Sequence, residues 1–230
     1  MERSPTEEET HYLLYYRGLA FFQVDEWDAA LRDLDTAPVG PKSDKALRGK
    51  AQTLYHLRRF RESCDVFTKL CKKHPEDVGA KNDFREAISR LAEQKKGRYN
   101  FKTMQEKASK TYPPVLDHAT WIGPVKVRQT KSQGRGLFTT EAVKVGDLLL
   151  CEKAFEYATE HPSRPSWGSN LHVNTETRTT TRGGQLALAS SIIEKLYKNP
   201  SSASAITNLH SAGFKQVSTG PIDGKLVVDT

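Results

Sequence analysis

A self-similarity with an offset of 33 residues constrains this chain more than any other feature. Gly18 aligns with Ala51, Phe21 with Leu54, Trp27 with Phe60, Ala30 with Ser63, Leu34 with Phe67 and Ala37 with Leu70. In the first unit, Leu14, Gly18, Phe21 and Phe22 recur at three- and four-residue intervals. After a break at Asp25-Glu26, so do Trp27, Ala30, Leu31 and Leu34. That spacing predicts two helices per unit, each with one apolar face. Small residues at Gly18 and Ala51 let the paired helices approach closely. Large residues fill the seam, so Trp27 and Phe60 are expected to be buried there. Pro75 closes the second unit. Two such units cannot bury their own faces, since roughly three are usually needed. The stretch from Asp77 to Lys96 supplies the missing partner, because Ala80, Phe84, Ala87, Ile88 and Leu91 make one apolar face. It reads as a solvating cap on a short array.

This offset, with small residues where helices cross and an aromatic residue opening the second helix, resembles the tetratricopeptide repeat, whose period is about 34 residues. The resemblance implies a helical solenoid over residues 1–97 that docks a protein partner. Repeats that clamp an acidic chaperone C-terminus place Lys and Asn on the first helix. The corresponding positions here are Tyr15 and Leu19. Neither can hold a carboxylate by charge-assisted hydrogen bonds, so a hydrophobic or intramolecular partner is expected instead.

Charge divides the chain unevenly. Residues 1–37 carry 3 basic and 9 acidic side chains, residues 38–110 carry 19 and 9, and residues 111–230 carry 13 and 10. A basic middle attracts acidic peptides or nucleic acid. Most of its cations interleave with Glu and Asp at helical spacing, which reads as solvated helix faces, so direct nucleic-acid binding is not expected. With 37% hydrophobic and 27% charged residues, one well-packed part and one loose part are expected. No apolar run reaches the roughly 18 residues of a membrane span, and the acidic N-terminus lacks the apolar core of a signal peptide. Three cysteines, Cys64, Cys71 and Cys151, are too few for a disulfide framework and point to the cytosol or nucleus.

Glu93 to Lys110 is rich in Lys and Gln, with Tyr99, Phe101 and Met104 as apolar anchors. Tyr112-Pro113-Pro114 ends any helix there. A linker over 98–120 is expected, with the change of character near residue 112. Strands follow over Val125–Gln129, Gly136–Thr140 and Asp147–Phe155, the last after a Gly146-Asp147 turn. Val143, Val145, Leu148 and Leu150 suit a half-buried edge. Between the first two strands lies Gly134-Arg135-Gly136-Leu137-Phe138. Two glycines flanking one long side chain let the backbone come close to a ligand, because neither carries a Cβ.

From WIGPVKVRQTKSQGRGLFTT through EAVKVGDLLLCEKAF the sequence resembles the opening of a SET domain, the catalytic unit of many protein-lysine methyltransferases. The likeness is good over residues 121–157. It implies S-adenosylmethionine as cofactor, with Gln133, Gly134, Arg135 and Gly136 on the cofactor side; a solvent-facing turn is the plain alternative for Arg135. The N-H-x-C-x-P-N stretch of that family, its catalytic tyrosine and its zinc-binding cysteines do not occur in these 230 residues. No catalytic residue is therefore assigned. Leu226-Val227-Val228-Asp229-Thr230 reads as an unfinished strand, and the chain alone is expected to be inactive.

Thr159 to Gly184 reads as a long polar insertion inside a SET-type part spanning 121–230. The SET-and-MYND branch carries a zinc module at a similar place, but no cysteine follows Cys151. Helix is expected over Leu186–Lys198, with Leu186, Ala189, Ile193, Leu196 and Tyr197 on one face, and a short helix over Ala203–His210. The combination of repeats and a SET opening without the zinc module resembles fungal repeat–SET proteins. The expected fold class is thus α+β: an N-terminal α-helical solenoid, then the β-rich opening of a SET domain with a helical insertion. Cys71 and His74 are two possible metal ligands, too few for a site, and no metal is expected. Glu152, Glu156 and Glu160 have no acid partner with which to share a proton.

Two functions fit. In one, the parent protein moves a methyl group from S-adenosylmethionine to a protein lysine, with histones among possible substrates, while the array holds a protein partner. In the other, the chain is a non-enzymatic interaction adaptor with a vestigial SET sequence.

Overall fold

The computed structural model describes residues 6–36, 43–158, 171–175, 178–209, 221–222 and 225–226. Its class is α+β, mostly helical with a few short strands. The chain divides into two compact units, 1–154 and 155–230.

The first unit opens with α1 (Glu7–Gln23), α2 (Trp27–Thr36), α3 (Ser43–His56), α4 (Phe60–Lys73) and α5 (Val78–Lys96). The 33-residue offset survives in the coordinates. The first helix of each pair ends at Gln23 or His56, and the second begins at Trp27 or Phe60. Both turns pass through a left-handed residue, Asp25 (φ 63°) and Arg58 (φ 61°). Side chains at helix starts satisfy amides that have no intrahelical partner. Thr6 and Glu9 form a reciprocal capping box on α1, and the Asp77 carboxylate accepts from the Ala80 amide at 2.9 Å on α5.

Close approach is visible where the small residues sit. A Cβ on Gly18 would come within 2.9 Å of Leu34 Cγ. Ala51 is fully buried, and its carbonyl accepts from Ser63 Oγ at 2.8 Å. The core gathers Leu31, Leu54, Phe67, Leu70, Ala80 and Ala87, so α5 covers the second pair as the periodicity predicts. On α5 itself, Ala80 and Ala87 are buried, whereas Ile88 points to solvent. Phe60 is buried at 2% exposure. Trp27 is not: it is half-buried, with its indole stacked on His56 at 5.1 Å between ring centroids. Tyr15 belongs to a smaller core with Leu34 and Ala46, and Leu19 packs against it. These two positions are therefore core, not groove. Ala37 lies outside the described residues.

Past α5 the stretch expected as a linker contains a helix, α6 (Phe101–Ala108), whose first turn is capped by Asn100 on the Thr103 amide at 3.0 Å. The strand expectations need correction. Val125–Gln129 (β2) and Arg135–Thr139 (β3) form one antiparallel hairpin. The third strand shrinks from Asp147–Phe155 to Leu150–Cys151 (β4), and it pairs with Trp121–Ile122 (β1) in a separate ladder. The Lys144–Asp147 turn takes the first residue of that expected strand out of it. Asp147 N donates to Lys144 O at 3.1 Å, its carboxylate accepts from Lys144 N at 2.7 Å, and Gly146 takes φ 94°. Val145 consequently stands in solvent. The Trp121 ring lies against Gly97, where a Cβ would fall inside the indole. Gly97 also caps α5 in the left-handed region, at φ 61°.

In the second unit, the expected insertion holds a hairpin, Leu171–Asn174 (β5) with Thr179–Arg182 (β6), and residues 159–170 lie outside the described residues. Helix α7 begins at Gly183 and ends at Lys198. Ile193 and Tyr197 on its expected apolar face are exposed. The last helix, α8, covers only Ser204–Thr207, and His210 lies outside the described residues. Short ladders at Pro221–Ile222 (β7) and Lys225–Leu226 (β8) pair with each other. Among the described residues no helix is long and apolar enough to cross a membrane.

Candidate functional site

The β2–β3 hairpin pairs Val125 with Thr139 and Gln129 with Arg135. That register puts Gln133 and Gly134 in its turn and Arg135 and Gly136 at the start of β3. Thr130 closes the loop. Its amide and its hydroxyl both donate to the Gly134 carbonyl, each at 2.7 Å, and the hydroxyl accepts from the Gln133 amide at 3.1 Å. Gly134 takes φ 74°, where a Cβ is unfavourable. Nothing lies within 4 Å of the point a Cβ would occupy. At Gly136 a Cβ would meet the Phe138 ring at 3.0 Å. Gln133, Gly134 and Arg135 are exposed, and Gly136 is half-buried.

A second constellation joins the helical half to residues 116–119. Glu93, on α5, is nearly buried. Its carboxylate accepts from the Ala119 amide at 2.9 Å and lies 2.9 Å from His118 Nδ1 and 3.1 Å from Arg90 Nη2. A proton on His118 Nδ1 satisfies Glu93. The 3.4 Å approach of Arg90 to the same nitrogen is then a contact between two donors, not a hydrogen bond. Arg58 donates to the His118 carbonyl at 3.0 Å, Tyr99 donates to the Ala119 carbonyl at 2.6 Å, and the Tyr55 hydroxyl donates to Asp117. Burial, then the Asp117 carboxylate, pushes the Tyr55 phenol well above its ordinary range. Burial likewise pushes Tyr99 up to about 12 and holds Arg58 below the usual guanidinium value. Both phenols are locked as neutral donors.

This network forms one wall of a cleft of about 560 Å³ lined by Tyr55, Glu86, Arg90, Lys107, Lys110 and His118, among others. A smaller groove of about 140 Å³ shares Tyr55 and Glu86 and continues to Phe22, Gln52 and His56. One edge of the His56 ring is exposed, but packing against Phe22 and Trp27 holds its pKa below the ordinary value. The sequence signal for the network is faint. Glu86, Arg90 and Glu93 are spaced as one helical stripe on α5, so three charged side chains fall in line. Among the described residues no three His, Cys, Asp or Glu side chains converge to hold a metal ion. Cys64 is buried, Cys71 is partly so, and burial raises the Cys64 thiol.

Over 216 residues the chain is 36% identical to a protein of Gibberella zeae named "Methyltransferase". The similarity covers 93% of this chain and 30% of that protein, so the chain spans under a third of the relative's length. No family model matches the chain, and no solved structure matches it.

Proposed function

We propose that these residues belong to a methyltransferase of the SET type that acts on protein lysine, with a tetratricopeptide-like array holding a protein partner. The similarity to the Gibberella zeae protein across nearly the whole chain carries this reading. The α1–α5 hairpins at a 33-residue offset support the array, and the glycine turn supports a cofactor edge.

The turn fits one side of S-adenosylmethionine. Its main chain is accessible, and open space surrounds Gly134. When bound, that cofactor supplies an activated methyl group for transfer to an amine. This chain's residues would bind and orient it: Gln133, Gly134 and Arg135 present the turn, and Thr130 keeps it rigid by occupying the Gly134 carbonyl. A rigid turn limits the entropy lost on binding. An isolated turn contributes one or two hydrogen bonds of about 1 kcal/mol net each. A micromolar complex requires roughly 8 kcal/mol. The turn alone should therefore bind the cofactor weakly, and further residues must enclose it. Its free cysteines fit a reducing compartment, the cytosol or nucleus.

Two measurements test this. Titration calorimetry with S-adenosylmethionine is run on the full-length protein and on its Gly134→Val form, which strains a position at φ 74°. Labelled methyl transfer is then read on histones and a mixed-protein panel. Binding that Gly134→Val weakens, with label appearing on lysine, is expected. Absence of both from the full-length protein sinks the reading and leaves the adaptor function.

A further inference from the structure

The geometry points to the cleft between α5, α6 and residues 115–118 as a docking site for an acidic protein segment. The inference rests on the part of the proposed function that gives the helical half a protein partner. Three cations border the cleft: Arg90, Lys107 and Lys110. Arg90 is held by Glu93 at 3.1 Å, and its buried Nε has no acceptor among the described residues. Lys107 and Lys110 are exposed at the end of α6 and just beyond it. They make no ion pair among the described residues, unlike Lys50 or Lys73 on the repeat helices, which hold Asp35 and Asp44 at 2.7 Å. Two exposed cations on one rim, unpaired among the described residues, are complementary to an anionic ligand.

The shape narrows the class. The cleft's size is that of a typical ligand pocket, and it leads through Tyr55 into the groove that reaches Phe22 and His56. An extended peptide can place carboxylates at Lys107 and Lys110 and an apolar side chain against Phe22. A nucleic-acid strand fits less well. Glu86 and Asp117 also face the cleft and would repel an unbroken row of phosphates, whereas a peptide need not place an anion opposite them. The site differs from a carboxylate clamp on the first repeat, whose positions here are the packed Tyr15 and Leu19. Its cations come from α5, α6 and the second residue beyond α6.

The test uses the whole chain without cofactor, so its outcome is independent of methyl transfer. The main probe is a short fluorescein-labelled peptide with glutamates at one end and leucine and phenylalanine at the other. The comparison probes are the same peptide with glutamine for glutamate and a labelled single-stranded oligonucleotide. Anisotropy should show the acidic peptide binding more tightly than both, with affinity falling as salt rises. Reversing charge in the cleft (Lys107→Glu with Lys110→Glu) should weaken it by about tenfold or more. Reversing two exposed cations outside the cleft on α4 (Lys69→Glu with Lys72→Glu) should leave it nearly unchanged. Circular dichroism of both variants should match the parent, since all four side chains lie at the surface or are exposed. Equal losses in the two variants, no loss in the first, tighter binding of the oligonucleotide, or no binding of the acidic peptide would each overturn the inference.

Discussion

The helical pairs and the β2–β3 hairpin lie in the same unit but treat their apolar residues in opposite ways. Phe60 and Phe67 are 2% and 1% exposed, whereas Val127 and Leu137 are 57% and 53% exposed. The helices close their core with contacts between neighbours in sequence. Hairpin pairing satisfies its own backbone, but its side chains gain little burial. The difference separates two sources of order, since packing sets the helical half, whereas the hairpin rests mainly on hydrogen bonding, with Val125 buried at one end. An element of the second kind is marginal by itself. Its exposed apolar side chains are available to a partner surface.

The largest effect that can break this contrast is a pair of truncations. Phe60→Ala should cost about 3–5 kcal/mol in urea unfolding, because it opens a cavity in a closed core. Leu137→Ala should cost about 0.5 kcal/mol or less, as for a surface change. Trp27→Ala belongs between them, since its indole is half-buried. Comparable losses at Phe60 and Leu137 would show that the hairpin is packed in solution. Hydrogen exchange gives the same comparison by backbone: amides in α4 should exchange far more slowly than those of β2 and β3.

One glycine marks where the helical half meets β1. Gly97 ends α5 at φ 61°, and the Trp121 ring occupies the space its missing side chain leaves. Gly97→Ala asks an alanine to hold a left-handed conformation and pushes the indole away. A loss of about 2–3 kcal/mol is expected from strain and overpacking together. Trp121 fluorescence should shift toward that of an exposed indole. A loss of a few tenths of a kcal/mol with unchanged fluorescence would mean that β1 is held only by β4 and the Glu93 network.

Legibility followed the range of the interactions. The helices could be read because each is encoded by spacing within a turn or two, and the offset repeats Gly18 as Ala51 and Ala30 as Ser63. Trp27 was misjudged because offset does not report cover. Phe60 meets Tyr55 edge-on within the core, whereas Trp27 stacks on a partly exposed His56. The alternation of Val143 and Val145 changes phase before Leu148 and Leu150, and the phase change is the Lys144–Asp147 turn; nothing in the structure explains why the third strand stops at Cys151. The glycine turn was legible as a turn, since adjacency alone brings Gln133 to Gly136 together. The network around Glu93 was not. Tyr55 and Asp117 stand 62 positions apart, and no local pattern records such a pairing. The same blindness hid the cleft, whose walls come from four separate stretches of chain.

The smallest effect concerns acid, and it sharpens the contrast from the helical side. Asp44, near the start of α3, accepts from Lys73 at 2.7 Å and lies 2.7 Å from His74 Nε2 at the end of α4. The Lys73 hydrogen bond comes first among the causes that hold its carboxyl below the ordinary value. A carboxyl whose folded pKa is depressed binds its proton more readily when unfolded. Its contribution is therefore complete above the unfolded value of about 3.9 and is lost as the pH falls through the folded one. Because the Lys73 end of the pair is open to solvent, the contribution should stay under about 1 kcal/mol. In urea titrations followed by helix circular dichroism, Asp44→Asn should be slightly less stable than the parent at pH 7. The two curves should converge below about pH 4 as the parent's carboxyl is protonated. A gap that persists undiminished at pH 3 would mean that Asp44 acts through packing rather than charge. The α3–α4 pair would then owe nothing to its surface ions, and its stability would rest on the core that Phe60 and Phe67 close.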